Sequence, residues 1–156
     1  MQQVPPTLTT IRFSAMNLLA LREHSAKELK EKLGRKFECT ALIEEAIASL
    51  TEQSLQSDER FAQAFVAMRQ RQGKGPLIIK MELREKGVTS ELIARFVDDS
   101  DTLWFELARD VWSKKFRSTL PVDSRERAKQ MRFLQSRGFS SRHIQAVFAA
   151  TTSEDW

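Results

Sequence analysis

Two groups of basic residues carry the chemistry this chain can offer. Arg69, Arg71, Lys74 and Arg84 form one group, and Arg125, Arg127, Lys129 and Arg132 the other. Cations at such helical spacings are groups that contact nucleic-acid phosphates or an acidic protein surface. They lie inside alternating blocks of charge. Arg60 to Lys86 holds seven basic and two acidic residues, Glu91 to Asp110 two basic and six acidic, and Lys114 to Arg142 nine basic and two acidic. Different parts of the molecule are therefore expected to meet differently charged surfaces.

Groups suited to catalysis do not converge. His24 and His143 lack a Cys or carboxylate at metal-ligand spacing and are read as surface or capping residues. Cys39 precedes a helix start, where a thiol pKa can be lowered, but no His or second Cys accompanies it. Gly73-Lys74-Gly75-Pro76 lacks the spacing and the preceding strand of a phosphate-binding loop, so it reads as a helix breaker. Asp98, Asp99 and Asp101 cluster at a helix junction without further ligands. No catalytic, cofactor-binding or metal-binding residue is assigned, no cofactor is expected, and the chain is not expected to be an enzyme.

The elements that must position the bases are helices. Apolar residues recur at three and four in Leu42-Ile43-Ala46-Ile47-Leu50, in Phe61-Ala64-Phe65-Met68, in Leu92-Ile93-Phe96-Val97 and in Leu103-Leu107-Ala108-Val111-Trp112-Phe116. Each is the stripe of an amphipathic helix with one face buried. Ser25 with Glu28 is a capping box, Asp123 with Glu126 repeats the arrangement, and Ser57 precedes the acidic pair Asp58-Glu59. Pro76 suits a first helical position, while Gly87 and Gly138 suit left-handed helix ends. The expectation is an all-α chain of about nine helices, each of roughly 9 to 17 residues and too short to be stable alone.

These helices repeat. Glu28-Leu29-Lys30-Glu31-Lys32-Leu33 aligns with Glu82-Leu83-Arg84-Glu85-Lys86-Gly87. Leu83 to Ser90 aligns in turn with Leu134 to Ser141, sharing a Leu, a base, a Gly, an apolar residue and a hydroxyl pair. The steps from Leu29 to Leu83 and from Leu83 to Leu134 are 54 and 51 residues. The reading is a tandem repeat of three three-helix modules, elongated and curved. Their expected spans are 10–56, 57–99 and 100–150, between a flexible N-terminal tail (1–9) and a C-terminal tail (151–156) that ends in a frayed Trp156.

The 156 residues, 41% of them hydrophobic, can bury a core, and no apolar run is long enough to span a membrane. A single cysteine and no visible secretory signal suggest a cytoplasmic protein, expected to be a monomer. Leu83 to Phe96 and Leu134 to Phe148 each have the outline of a helix-turn-helix, in which Ser140, Ser141, Arg142 and His143 would face bases. Trp104, Trp112 and the phenylalanines fall on apolar stripes and read as core, not as stacking platforms.

The residues also resemble a known family. Ala20-Leu21-Arg22-Glu23-His24-Ser25, followed by Glu28-Leu29 and Lys32-Leu33, is similar to the opening signature of RecX, the bacterial regulator of the RecA recombinase. Asp58, Arg60-Phe61-Ala62, Phe65-Val66, Arg69, Gly73, Gly75-Pro76, Ile79, Glu82-Leu83 and Lys86-Gly87-Val88 resemble its central repeat. Ala108, Lys115-Phe116, Phe133-Leu134 and Arg137-Gly138-Phe139 resemble the third repeat more loosely. Where the family has Gly and Tyr before Asp58, this chain reads Ser54-Leu55-Gln56-Ser57, with Leu55 expected as the apolar plug.

The resemblance implies a protein that lies along the helical groove of the RecA–DNA filament. It would inhibit ATP hydrolysis, strand exchange and coprotease activity, and so modulate DNA repair and the SOS response. The eight bases named first are the expected contacts. The alternative from the residues is a helical protein that binds single- or double-stranded DNA through phosphate contacts and acts on recombination indirectly.

Overall fold

The computed structural model describes residues 6–153. Among these, nine helices and no strand are found: α1 (Leu8–Leu21), α2 (Ala26–Lys36), α3 (Thr40–Glu52), α4 (Asp58–Arg71), α5 (Pro76–Glu85), α6 (Ser90–Phe96), α7 (Thr102–Phe116), α8 (Ser124–Ser136) and α9 (Ser141–Ser153). The all-α, three-by-three arrangement read from the sequence is present. Helix α6 has seven residues, fewer than expected. Helix α1 opens at Leu8 behind a Thr7 cap, so it takes in the last residues of the expected tail. Most of that tail, and Trp156, lie outside the described residues.

The chain packs into two compact units. The first comprises residues up to 64 together with 83–92; the second comprises 65–82 together with the chain from 93 onward. In the first unit Ile11 and Ala15 of α1, Leu29 and Leu33 of α2, and Ile43, Ala46, Ile47 and Leu50 of α3 form one core. Full burial of each large aliphatic side chain contributes about 1.5–3 kcal/mol.

A polar network fixes the entry to α2. The capping box is complete: Ser25 Oγ accepts from the Glu28 N–H, and the Glu28 carboxylate accepts from the Ser25 N–H. Glu28 is buried and also meets Arg22 Nη2 at 2.9 Å and Lys86 Nζ at 3.4 Å. Burial would raise its pKa, but the Arg22 hydrogen bonds, the Ser25 N–H and the two cations outweigh it and hold the carboxyl at about 2. His24 is buried as well, contrary to the surface role expected for it. Lys32 Nζ donates to its Nε2 at 2.9 Å, and its Nδ1 donates to the Arg22 carbonyl at 3.0 Å. Burial first, then the Arg22 and Lys32 charges, push the His24 pKa below its ordinary value. Gln56, not Leu55, plugs the turn before α4. Leu55 is exposed, whereas buried Gln56 donates to Asp58 Oδ1 at 2.9 Å and to the His24 carbonyl at 3.2 Å.

Because the folded Glu28 pKa lies below the unfolded value of 4.5, the unfolded chain binds more protons as pH falls below 4.5. Stability contributed by Glu28 is therefore full above pH 4.5 and lost as pH falls toward about 2. Glu28→Gln is expected to destabilise the protein by about 2 kcal/mol at pH 7. That is less than a fully enclosed pair would lose, since both cations are half exposed. It should also flatten the loss of stability between pH 5 and 3, measured by urea unfolding across that range.

In the second unit the core gathers Ala108 and Trp112 of α7, Leu134 of α8, Phe139, and Ile144, Val147 and Phe148 of α9. Trp112 and Phe148 meet edge to face with centroids 6.4 Å apart. The indole N–H of Trp112 donates to Gln130 Oε1 at 2.8 Å, and Gln130 Nε2 donates to the Thr119 carbonyl at 3.0 Å, so the polar atoms of these two buried side chains are paired. Trp104 is likewise core, its N–H donating to the Asp98 carbonyl at 2.9 Å. The two glycine-bearing turns of this unit are tied together by backbone. The Gly75 N–H donates to the Arg137 carbonyl at 2.7 Å and the Leu77 N–H to the Gly138 carbonyl at 3.0 Å.

Candidate functional site

Helix α8 sorts its four bases by helical phase. Arg125, Lys129 and Arg132 recur at four and three residues and share one exposed face, away from Gln130 and Leu134, which face the core. Arg127, three residues before Gln130 and seven before Leu134, lies on their side of the helix, near its N-terminal end, where it is still exposed. Its guanidinium lies over the Phe148 ring, 4.9 Å from the centroid. The shared face lines one side of a cleft of about 510 Å³ whose other wall is the segment from Thr119 to Asp123. Asp123 caps α8, accepting from the Glu126 N–H at 2.8 Å, so this acid serves the helix end.

A second basic cleft, of about 470 Å³, opens where α4, α7 and α8 end. Arg71 enters it from α4, Lys114 and Lys115 from the last turn of α7, and Arg137 from the C-cap of α8. Phe133 stands between two of these cations: Lys115 Nζ and the Arg137 guanidinium each lie 5.3 Å from its centroid. An edge contact with Phe116, centroids 5.5 Å apart, holds the ring in place. Cation–π contact and packing together restrict the two basic side chains before any ligand arrives.

The expected contact residues divide accordingly. Arg71, Arg125, Lys129 and Arg132 are exposed in the second unit and line the two clefts. Lys74 is half-buried beside the Gly73 turn, and Arg84 is exposed in the first unit. Arg69 is not an outward base. It is ion-paired with Glu82, its Nη1 donates to Gln72 at 2.7 Å, and its guanidinium lies over Phe65. Its charge is already used within the fold. Lys114, Lys115 and Arg137 were not singled out from the sequence. They belong to the basic block after Lys114, but only the meeting of three helix ends brings them together.

The helix-turn-helix reading of α9 is corrected by its first turn. His143 is buried, and its Nε2–H donates to the Asp99 carbonyl at 2.9 Å, while its Nδ1 accepts from Ser140 at 2.8 Å. Arg142 donates to the same Asp99 carbonyl at 2.7 Å. These groups clamp the turn between α6 and α7 instead of facing a groove. The acidic cluster in that turn is also structural. Asp98 accepts twice from Ser100, hydrogen bonds that lower its pKa; Asp101 caps α7; and Asp99 meets Lys80 Nζ at 2.8 Å. Among the described residues no group of three or more His, Cys, Asp and Glu is placed to hold a metal ion, and no helix is long and apolar enough to cross a membrane.

Three family models match the chain in tandem: the first three-helix domain of RecX at residues 12–50, the second at 57–95 and the third at 101–148. A relative from Pseudomonas fluorescens named "Regulatory protein RecX" is 40% identical over 155 residues, covering 99% of this chain and 100% of the relative. One of the same name from Halorhodospira halophila is 37% identical over 145 residues, covering 93% and 90%. The crystal structure of RecX from Lactobacillus salivarius has a similar fold, with a TM-score of 0.78 at 22% identity, over 93% of this chain and 96% of that one.

Proposed function

The chain belongs to the RecX family, and from that membership we propose that it regulates the RecA recombinase by binding the RecA–DNA filament. It acts as an inhibitor. Seated along the filament's helical groove, it holds back ATP hydrolysis, strand exchange and coprotease activity, and thereby modulates DNA repair and the SOS response. It works in the cytoplasm, as a monomer, without chemistry of its own. The observation that carries this reading is the match of all three RecX domains in order along the chain. The exposed cations Arg125, Lys129 and Arg132 are the foremost candidates for the contact, with Arg71, Lys74 and Arg84 as further points. Several modest contacts engaged at once bind far more tightly than any one alone.

Salt separates this reading from binding to DNA alone. Contacts made to phosphates weaken by orders of magnitude between about 50 and 200 mM salt, because counterions are released. A contact with a protein surface that has an apolar centre weakens much less. Labelled protein titrated with preformed RecA–DNA filament, and separately with the same DNA, gives the answer. Retention on the filament at the higher salt, with binding to bare DNA lost, is the expected result. Equal loss from both would make DNA the target and overturn the filament reading.

A further inference from the structure

The cleft at the ends of α4, α7 and α8 contains more than charge. Three helix C-termini meet there, each carrying roughly half a negative charge, and Asp110 adds one more. The four cations Arg71, Lys114, Lys115 and Arg137 exceed that sum, so they do more than neutralise the helix ends. The wall between them is apolar, formed by Leu107, Val111 and the Phe133 ring. Polar groups complete the lining. The Gln72 carbonyl oxygen is taken by Arg69 at 2.7 Å, which leaves its amide N–H₂ to donate, and Asp110 can accept.

We propose that this cleft binds a nucleotide, with the phosphate among Arg71, Lys114, Lys115 and Arg137 and the base against Leu107 and Val111. The cleft volume, about 470 Å³, is in the range of small-molecule sites. Phe133 is not a stacking platform, because Lys115 and Arg137 lie over its ring. It presents those cations, while the aliphatic wall meets the base. Asp110 discriminates among anions. It repels the carboxylates of an acidic peptide but accepts from a base amino group or a ribose hydroxyl. The same chemistry is met in a free nucleotide and in one unit of a single strand.

The test uses the full chain with two probes: ATP by equilibrium dialysis, and a fluorescein-labelled 20-mer of deoxyadenosine, which keeps the base amino group, by anisotropy. At least one should bind saturably, and Lys114→Gln with Arg137→Gln should weaken it by about tenfold or more. Arg35→Gln with Lys36→Gln, which removes two exposed charges from the last turn of α2, outside the lining of either cleft, should change it by less than about threefold. Lys114→Glu alone should act in the same direction as the double variant, and tryptophan fluorescence reports whether each variant is folded. Binding of ATP identifies a free nucleotide as the occupant; binding of the 20-mer alone identifies a strand. The proposal is overturned if neither probe binds at millimolar concentration, or if tripolyphosphate or polyglutamate binds as tightly as the nucleotide. It also fails if the Arg35/Lys36 variant loses as much as the Lys114/Arg137 variant. No recombinase is present, so failure here leaves the filament reading standing.

Discussion

Replacing Arg125, Lys129 and Arg132 together by Glu is expected to weaken binding to the RecA–DNA filament by at least about tenfold. The three side chains share one exposed face of α8. Reversal turns three positive charges into three negative ones at the place where an acidic surface or a phosphate track would approach. The like charges then repel where the native ones attracted. The fold should be indifferent, because exposed substitutions away from special features usually change stability by less than about 0.5 kcal/mol each. Arg127→Glu provides the internal contrast. Its guanidinium rests on Phe148, so it should lower stability modestly and affect binding less than the triple reversal. Filament pelleting with circular dichroism on the same samples separates the two effects. Full retention of binding by the folded triple variant would remove α8 from the contact surface.

The largest effect on stability is expected from Gly75→Ala. A methyl built there would stand 2.4 Å from the Gly138 carbonyl carbon, 2.5 Å from its oxygen and 2.6 Å from the Phe139 nitrogen. All three are backbone atoms, so no side chain can swing aside. The hydrogen bonds from Gly75 to Arg137 and from Leu77 to Gly138 run through the same contact and would have to lengthen. A cost of about 3 kcal/mol or more follows, lowering Tm by on the order of 10 °C. Gly34→Ala is the paired control. It lies within α2 with nothing within 4 Å of the added methyl, and should stabilise by about 0.5–1 kcal/mol. A Tm for Gly75→Ala within about 2 °C of the native protein would mean that the two turns do not approach as closely as described.

The helices were legible because their signals are local. The Ser25–Glu28 box, the Asp123 cap, Pro76 at a first turn and the left-handed Gly87 and Gly138 all act within four residues of chain. The repeat was legible for the same reason: Leu29, Leu83 and Leu134 occupy equivalent steps, and each is fully buried. What the sequence concealed depends on partners distant along the chain. Arg69 looks like any exposed base until Glu82, thirteen residues on, is seen to face it. His24 and His143 carry no local mark of burial; at the former Gln56 reaches back 32 residues to the His24 carbonyl, and the latter is held by the Asp99 turn. The second basic cleft needs α4, α7 and α8 to end together, which no single window of sequence contains. The face of α8 is the intermediate case. Helical phase alone groups Arg125, Lys129 and Arg132 and sets Arg127 on the opposite side, but which of the two sides is buried is known only from the packing.

The most direct test of regulation by filament binding is the DNA-dependent ATPase of the cognate RecA. This protein would be added well below one copy per recombinase protomer, at physiological salt and with DNA in excess. So little protein cannot mask the DNA, so inhibition under those conditions requires action on the filament itself, and inhibition is the expected result. ATPase that falls only when the protein is abundant enough to coat the DNA would contradict it, and would leave this chain a DNA-binding protein that affects recombination indirectly.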